Sequence, residues 1–109
     1  MKQLSCYFSL GLLICLGFVS CDKGYEVRFT NYNLERIDTL EVGKTGLVFV
    51  NTDKQGTTDF KPVTRGNHYL KFVSKSGKRY SAFMYIPGKG TGKRTIQIDA
   101  INQISVLEE

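Results

Sequence analysis

From Tyr25 onward, apolar side chains recur at every second position in short stretches, and turn-forming residues interrupt them at fairly even intervals. A half-buried strand demands this period, because its successive side chains point to opposite faces. Tyr25, Val27 and Phe29 alternate with Glu26, Arg28 and Thr30 until Asn31-Tyr32-Asn33 breaks the run. A second strand is predicted from Arg36 to Val42, with Ile37 out of phase with Leu40 and Val42, so a bulge or a late start is expected. Gly43-Lys44-Thr45-Gly46 reads as a turn, Leu47 to Val50 as a short strand and Asn51 to Gly56 as a polar loop. Thr57 to Val63 is expected at a sheet edge, because Pro62 has no N–H to give to a ladder.

After a turn at Arg65-Gly66-Asn67 comes the plainest hairpin, His68 to Ser74 and Arg79 to Ile86 around Lys75-Ser76-Gly77-Lys78. Its alternation puts Leu70 and Phe72 on one face with Tyr80, Ala82, Met84 and Ile86. Tyr69, Val73, Phe83 and Tyr85 fall on the other, expected to be partly covered. Pro87 to Gly92 is a glycine-rich turn before two final strands carrying Ile96 and Ile98, then Ile104 and Val106. No apolar stripe of helical spacing lasts three turns in this region. The expectation is an all-β domain over 25–109, an antiparallel β-sandwich or a small barrel.

The first 20 residues have a different character. Lys2 precedes a mostly apolar run from Leu4 to Val19, which ends at Ser20-Cys21-Asp22. A short positive start, an apolar middle and a small-residue end form the anatomy of a helical signal peptide. A permanent span wants about 20 apolar residues and usually basic flanks. Phe18-Val19-Ser20-Cys21 resembles the lipobox of bacterial lipoproteins, with Phe18 where that family usually carries Leu. The resemblance implies a signal peptide over 1–20, acylation of Cys21 and a short polar link over 21–24. Several acyl chains on one residue hold a protein firmly to a bilayer, where one chain holds it weakly. Only Asp22 follows the cysteine where surface-exported lipoproteins of Bacteroidetes-like bacteria carry an acidic cluster. That departure favours the periplasmic face of the outer membrane. The body, with Phe29-Thr30-Asn31, Ile37-Asp38-Thr39-Leu40 and the Gly66 to Tyr69 strand start, resembles the small immunoglobulin-like or transthyretin-like modules of bacterial lipoproteins. That resemblance implies a fold class and supplies no functional residues.

The three cysteines are Cys6, Cys15 and Cys21, so no disulfide and no paired-cysteine zinc site is available from Asp22 onward. Charge is unevenly placed along the chain. Asp22 to Asp59 holds 5 basic and 7 acidic residues, whereas Phe60 to Ile98 holds 9 basic residues and no acid. Lys71, Lys75, Lys78, Arg79, Lys89, Lys93 and Arg94 are therefore a candidate patch for an anionic partner, set against the plainer reading of a solvated basic face.

Chemical motifs fail on inspection. Gly88 to Thr95 resembles a phosphate loop, but Pro87 stands where the first glycine belongs, Arg94 follows the lysine, and a strand rather than a helix comes next. His68 is the only histidine and has no evident triad partner. Asp38 with Glu41, and Asp53 with Asp59, read as surface carboxylates rather than metal ligands. Basic residues interleaved with Tyr69, Phe72, Tyr80, Phe83 and Tyr85 suit single-stranded nucleic acid, but export argues against that partner. The sequence thus points to a non-enzymatic, membrane-anchored interaction or assembly module of the cell envelope, without cofactor, as in secretion or conjugation machines. The alternative is a lipoprotein that holds an anionic glycan or lipid headgroup with its basic second half.

Overall fold

The computed structural model describes residues 24–43 and 46–109. Among these described residues eight strands form, here numbered in chain order: β1 (Tyr25–Asn31), β2 (Ile37–Val42), β3 (Leu47–Thr52), β4 (Lys61–Val63), β5 (Gly66–Ser74), β6 (Arg79–Ile86), β7 (Gly92–Ile98) and β8 (Ile104–Glu108). They make two four-stranded sheets, ordered β4-β1-β7-β8 and β3-β2-β5-β6. The fold is all-β, with the two sheets packed face to face. The leader and Cys21 lie outside the described residues, as do Lys44 and Thr45 of the expected turn.

The chain weaves between the sheets and reverses direction at every connection, so odd-numbered strands run one way and even-numbered strands the other. Neighbours in a sheet are then antiparallel unless both numbers share parity. β1 and β7 do, and they pair in parallel from Tyr25↔Gly92 to Asn31↔Ile98. The expectation of a purely antiparallel sandwich is corrected at this one ladder. A parallel pair needs a long crossover, and here the intervening five strands supply it. One pole of the sandwich carries Gly24 and the connections after β2, β4 and β6. The opposite pole carries the connections after β1, β3, β5 and β7.

The core lies between the inner faces. Val27, Phe29, Ile37, Leu40, Val42, Leu70, Phe72, Ile86, Ile96 and Ile98 are fully buried, drawn from both sheets. Phe29 of β1 meets Phe72 of β5 edge to face across the interior, with ring centroids 5.7 Å apart. The expected hairpin is present as β5·β6, with Leu70↔Ala82 and Phe72↔Tyr80 paired on the inner face.

The predicted irregularity in β2 is a register shift between Ile37 and Thr39 against β5. It lets Ile37 and Leu40 both face inward, three residues apart. β4 is an edge strand holding Pro62, as expected, but only three residues of the predicted stretch pair continuously. Thr57 makes an isolated bridge to Thr30 before the chain leaves the sheet. β5 and β7 begin at Gly66 and Gly92, earlier than the apolar residues alone suggested.

Gly43, just past β2, has φ +55° and lies against the His68 ring, where a Cβ would overlap Nδ1. His68 is itself buried, and its Nε2 lies 2.7 Å from the Thr64 carbonyl. A carbonyl only accepts, so Nε2 carries the proton and donates. Gly43→Ala is expected to destabilise the protein by roughly 2–4 kcal/mol, from a left-handed backbone that β-carbons resist and from overpacking beside the imidazole. A chemical denaturation midpoint equal to that of the wild type would show that the imidazole swings away freely.

Candidate functional site

The outer face of the β3-β2-β5-β6 sheet is the surface on which exposed apolar area and charge come together. Alternation along β6 sends Arg79, Ser81, Phe83 and Tyr85 outward while Met84 and Ile86 are buried. Along β5 the outward set is Asn67, Tyr69 and Lys71. The register sets Phe83 beside Tyr69 and Tyr85 beside Asn67. Phe83 is 76% exposed and Tyr85 61%. Tyr69 and Phe83 are tilted against each other with centroids 5.0 Å apart, and the Lys71 ammonium lies 6.0 Å from the Tyr69 ring. Two shallow grooves adjoin this cluster and share Glu41, Tyr69 and Lys71. One, of about 440 Å³, runs toward Arg79 and Ser81. The other, of about 400 Å³, runs toward Asn67 and Phe83. Glu41 stands opposite Lys71 in the β2·β5 ladder, which leaves Arg79 as the further cation along the first groove.

Phe83 and Tyr85 were expected to be partly covered, and they are open instead. The sandwich has two layers, so the outer face of this sheet has no layer over it, and the 87–91 connection crosses to the other sheet and leaves β6 at the edge.

The seven basic residues singled out by the acid-free span do not form one patch. Lys71 and Arg79 share the groove just described. Lys75 and Lys78 lie in the hairpin turn at the pole away from Gly24, and Lys89 lies in the connection at the opposite pole. Lys93 sits on the outer face of the first sheet, its ammonium 4.7 Å from the Phe60 ring, which also carries the Arg28 guanidinium at 4.7 Å. Arg94 is drawn inward, its side chain 12% exposed, 3.8 Å from Glu108 and over the Tyr25 ring. Acids from other parts of the chain lie against this span and against Arg28 beside it. Glu109 takes an ion pair from Arg28 at 3.6 Å and a hydrogen bond from the Thr95 hydroxyl. Glu35 accepts from the Ser76 amide at 2.9 Å and the Ser76 hydroxyl at 3.0 Å, and these bonds hold its carboxyl below the usual range. A span free of acid in sequence is therefore not free of acid in space.

Among the described residues, no three His, Cys, Asp or Glu side chains gather as a metal-binding group. The His68 Nε2 is taken up by the Thr64 carbonyl. The Gly88 to Thr95 segment passes from loop into β7 and precedes no helix, so it offers no helix N-terminus for a phosphate.

No family model matches the chain, and no curated protein matches it. Among solved structures it is similar to one titled as the NMR structure of the protein from Eubacterium rectale, with a TM-score of 0.56 and 9% identity over 79% of this chain and 88% of that one. A likeness at that identity bears on the fold alone.

Proposed function

We propose that the protein is a lipid-anchored, non-enzymatic interaction module of the cell envelope, at the periplasmic face of the outer membrane. Acylated Cys21 is its anchor, and the outer face of the β3-β2-β5-β6 sheet is its docking surface. The observation that carries the docking role is the open aromatic group of Tyr69, Phe83 and Tyr85 beside Lys71 and Arg79. Aromatic and arginine side chains anchor interfaces, and a monomer seldom leaves them contiguous on its surface without use. The anchor is supported by Phe18-Val19-Ser20-Cys21 and by the few residues between Cys21 and Tyr25. In this reading the sandwich is an immunoglobulin-like or transthyretin-like module standing close to the bilayer, with the Gly24 pole toward the lipid. Assembly within a secretion or conjugation apparatus fits a rigid small domain with a short tether. The alternative, an anionic glycan or headgroup held by the basic second half, has weaker support because the fold separates those residues to both poles and both faces.

Metabolic labelling with a fatty acid tests the anchor. Label is expected in the wild type and is lost in Cys21→Ala, which partitions into the soluble fraction with an unchanged denaturation midpoint. Equal labelling of both proteins overturns the anchor.

A further inference from the structure

Strand β6 is the outermost strand of its sheet, eight residues long, and its edge carries few of the features that keep sheet edges from pairing. Proteins blunt such edges with short strands, charges, proline or bulges. The other three edges here show those devices. β4 is three residues with Lys61 and Pro62, β8 is five residues ending at Glu108, and β3, six residues and itself without charge, is kinked near its end at Asn51, whose φ is +51°. β6 has a single charge, Arg79 at its first position, and then Tyr80 to Ile86 without charge, proline or glycine.

The direction of its free backbone groups follows from two hydrogen bonds. The Ser74 amide donates to the Lys78 carbonyl at 2.8 Å, and the Gly43 amide donates to the Tyr69 carbonyl at 2.9 Å. Antiparallel ladders alternate bonded and non-bonded pairs. In the β5·β6 register, even-numbered residues of β6 (Tyr80, Ala82, Met84 and Ile86) therefore bond to β5. Ser81, Phe83 and Tyr85 turn their N–H and C=O to the open edge. They are also the residues whose side chains form the exposed face, so one added strand would take up backbone bonds and aromatic contacts together.

We propose that β6 accepts an extended segment of a partner protein as an additional strand, and that this segment is apolar at its centre and acidic at its ends. The proposal rests on the reading of this sheet face as a docking surface. Charge decides the occupant. An antiparallel second copy would place Arg79 opposite Pro87 of the other molecule, or opposite Tyr85 in the neighbouring register. Either way the turn with Lys75 and Lys78 lies against the connection with Lys89, like charge on like at both ends. A partner strand with carboxylates at its ends meets Arg79 and the hairpin lysines at one end and Lys89 at the other, with apolar side chains beside Phe83. Strand addition obtains affinity from main-chain hydrogen bonds and selectivity from alternate side chains.

The test uses the full chain in detergent micelles, with a synthetic peptide of alternating Val and Thr bearing Glu at both ends, and a second peptide bearing Lys at both ends. Amide exchange is followed by NMR. In the free protein, the amides of Ser81, Phe83 and Tyr85 are expected to exchange quickly and those of Ala82 and Met84 slowly. The Glu-ended peptide protects the first three and binds roughly tenfold more tightly than the Lys-ended one at low salt. Ser81→Pro removes an N–H that faces outward, which edge strands tolerate, and abolishes this protection while the β5 amides stay slow. Exchange of Ser81, Phe83 and Tyr85 as slow as that of Ala82 in the free protein overturns the proposal. So does binding that leaves those three amides fast, no binding of the Glu-ended peptide, or a dimer formed through β6. The fatty-acid experiment reads Cys21 and this one reads β6, so either can fail alone.

Discussion

Replacing Phe72 with alanine lowers the free energy of unfolding by about 3–5 kcal/mol and the melting temperature by more than about 10 °C. Phe72 and Phe29 are both fully buried and come from opposite sheets, and their edge-to-face contact lies at the centre of the sandwich. Truncation removes apolar area from the core and leaves a cavity bounded by two sheets whose ladders restrict collapse. No cysteine lies between Asp22 and Glu109 to hold the chain covalently, and a domain of this size has about 5–15 kcal/mol of stability in all. The loss is therefore a large part of the total. Phe72→Leu, which keeps most of the volume, is expected to lose less than half as much. Urea unfolding followed by far-ultraviolet circular dichroism measures both, and a shift below about 1 kcal/mol for the alanine variant would mean the sheets close over the gap.

The strands were legible where local chemistry fixes them. Tyr25-Val27-Phe29 and the Leu70-Phe72 face of the hairpin follow directly from alternation, and the out-of-phase Ile37 betrayed the bulge because two inward residues three apart cannot sit on a regular strand. Pro62 located an edge by what it cannot donate. What the sequence concealed depends on partners distant along the chain. The parallel pairing of β1 with β7 leaves no local trace, since it arises from the count of reversals between them. The basic span looked unopposed because Glu108 and Glu41, which stand against its Arg94 and Lys71, Glu109, which bonds its Thr95, and Glu35, which bonds its turn, sit outside it in sequence. Period two separates the faces of a strand without saying what covers each, so Tyr69 and Phe83 could be assigned to the outer face but not to an open one. Asn31, read as the residue that ends a strand, is one of the most buried residues of the protein.

That last residue carries the second large effect. Asn31 ends β1 inside the sandwich, where its side-chain amide donates to the carbonyls of Glu35 at 3.0 Å and Thr52 at 2.9 Å, and its side-chain oxygen accepts from the Asn33 amide at 2.8 Å. Its backbone amide donates to the Gly56 carbonyl, and its carbonyl accepts from the Gln55 amide. One residue thus joins the connection after β1, the end of β3 and the loop that follows. Asn31→Leu keeps the volume but strands two acceptors and a donor, at an expected cost of about 3–5 kcal/mol. Asn31→Asp separates burial from hydrogen bonding. A carboxylate would face two carbonyl oxygens and could donate nothing, so the folded state favours the protonated acid and its pKa rises above the unfolded value of about 3.9. A group whose folded pKa is raised contributes most below the unfolded pKa. The variant is therefore expected to be most stable in acid and to lose stability as pH rises from about 4 until the folded carboxyl also ionises, a slope the wild type lacks at this position. Urea midpoints for both proteins across that range decide it. Parallel pH profiles would mean that the Glu35 and Thr52 carbonyls find other donors, and that Asn31 is not what ties the three segments together.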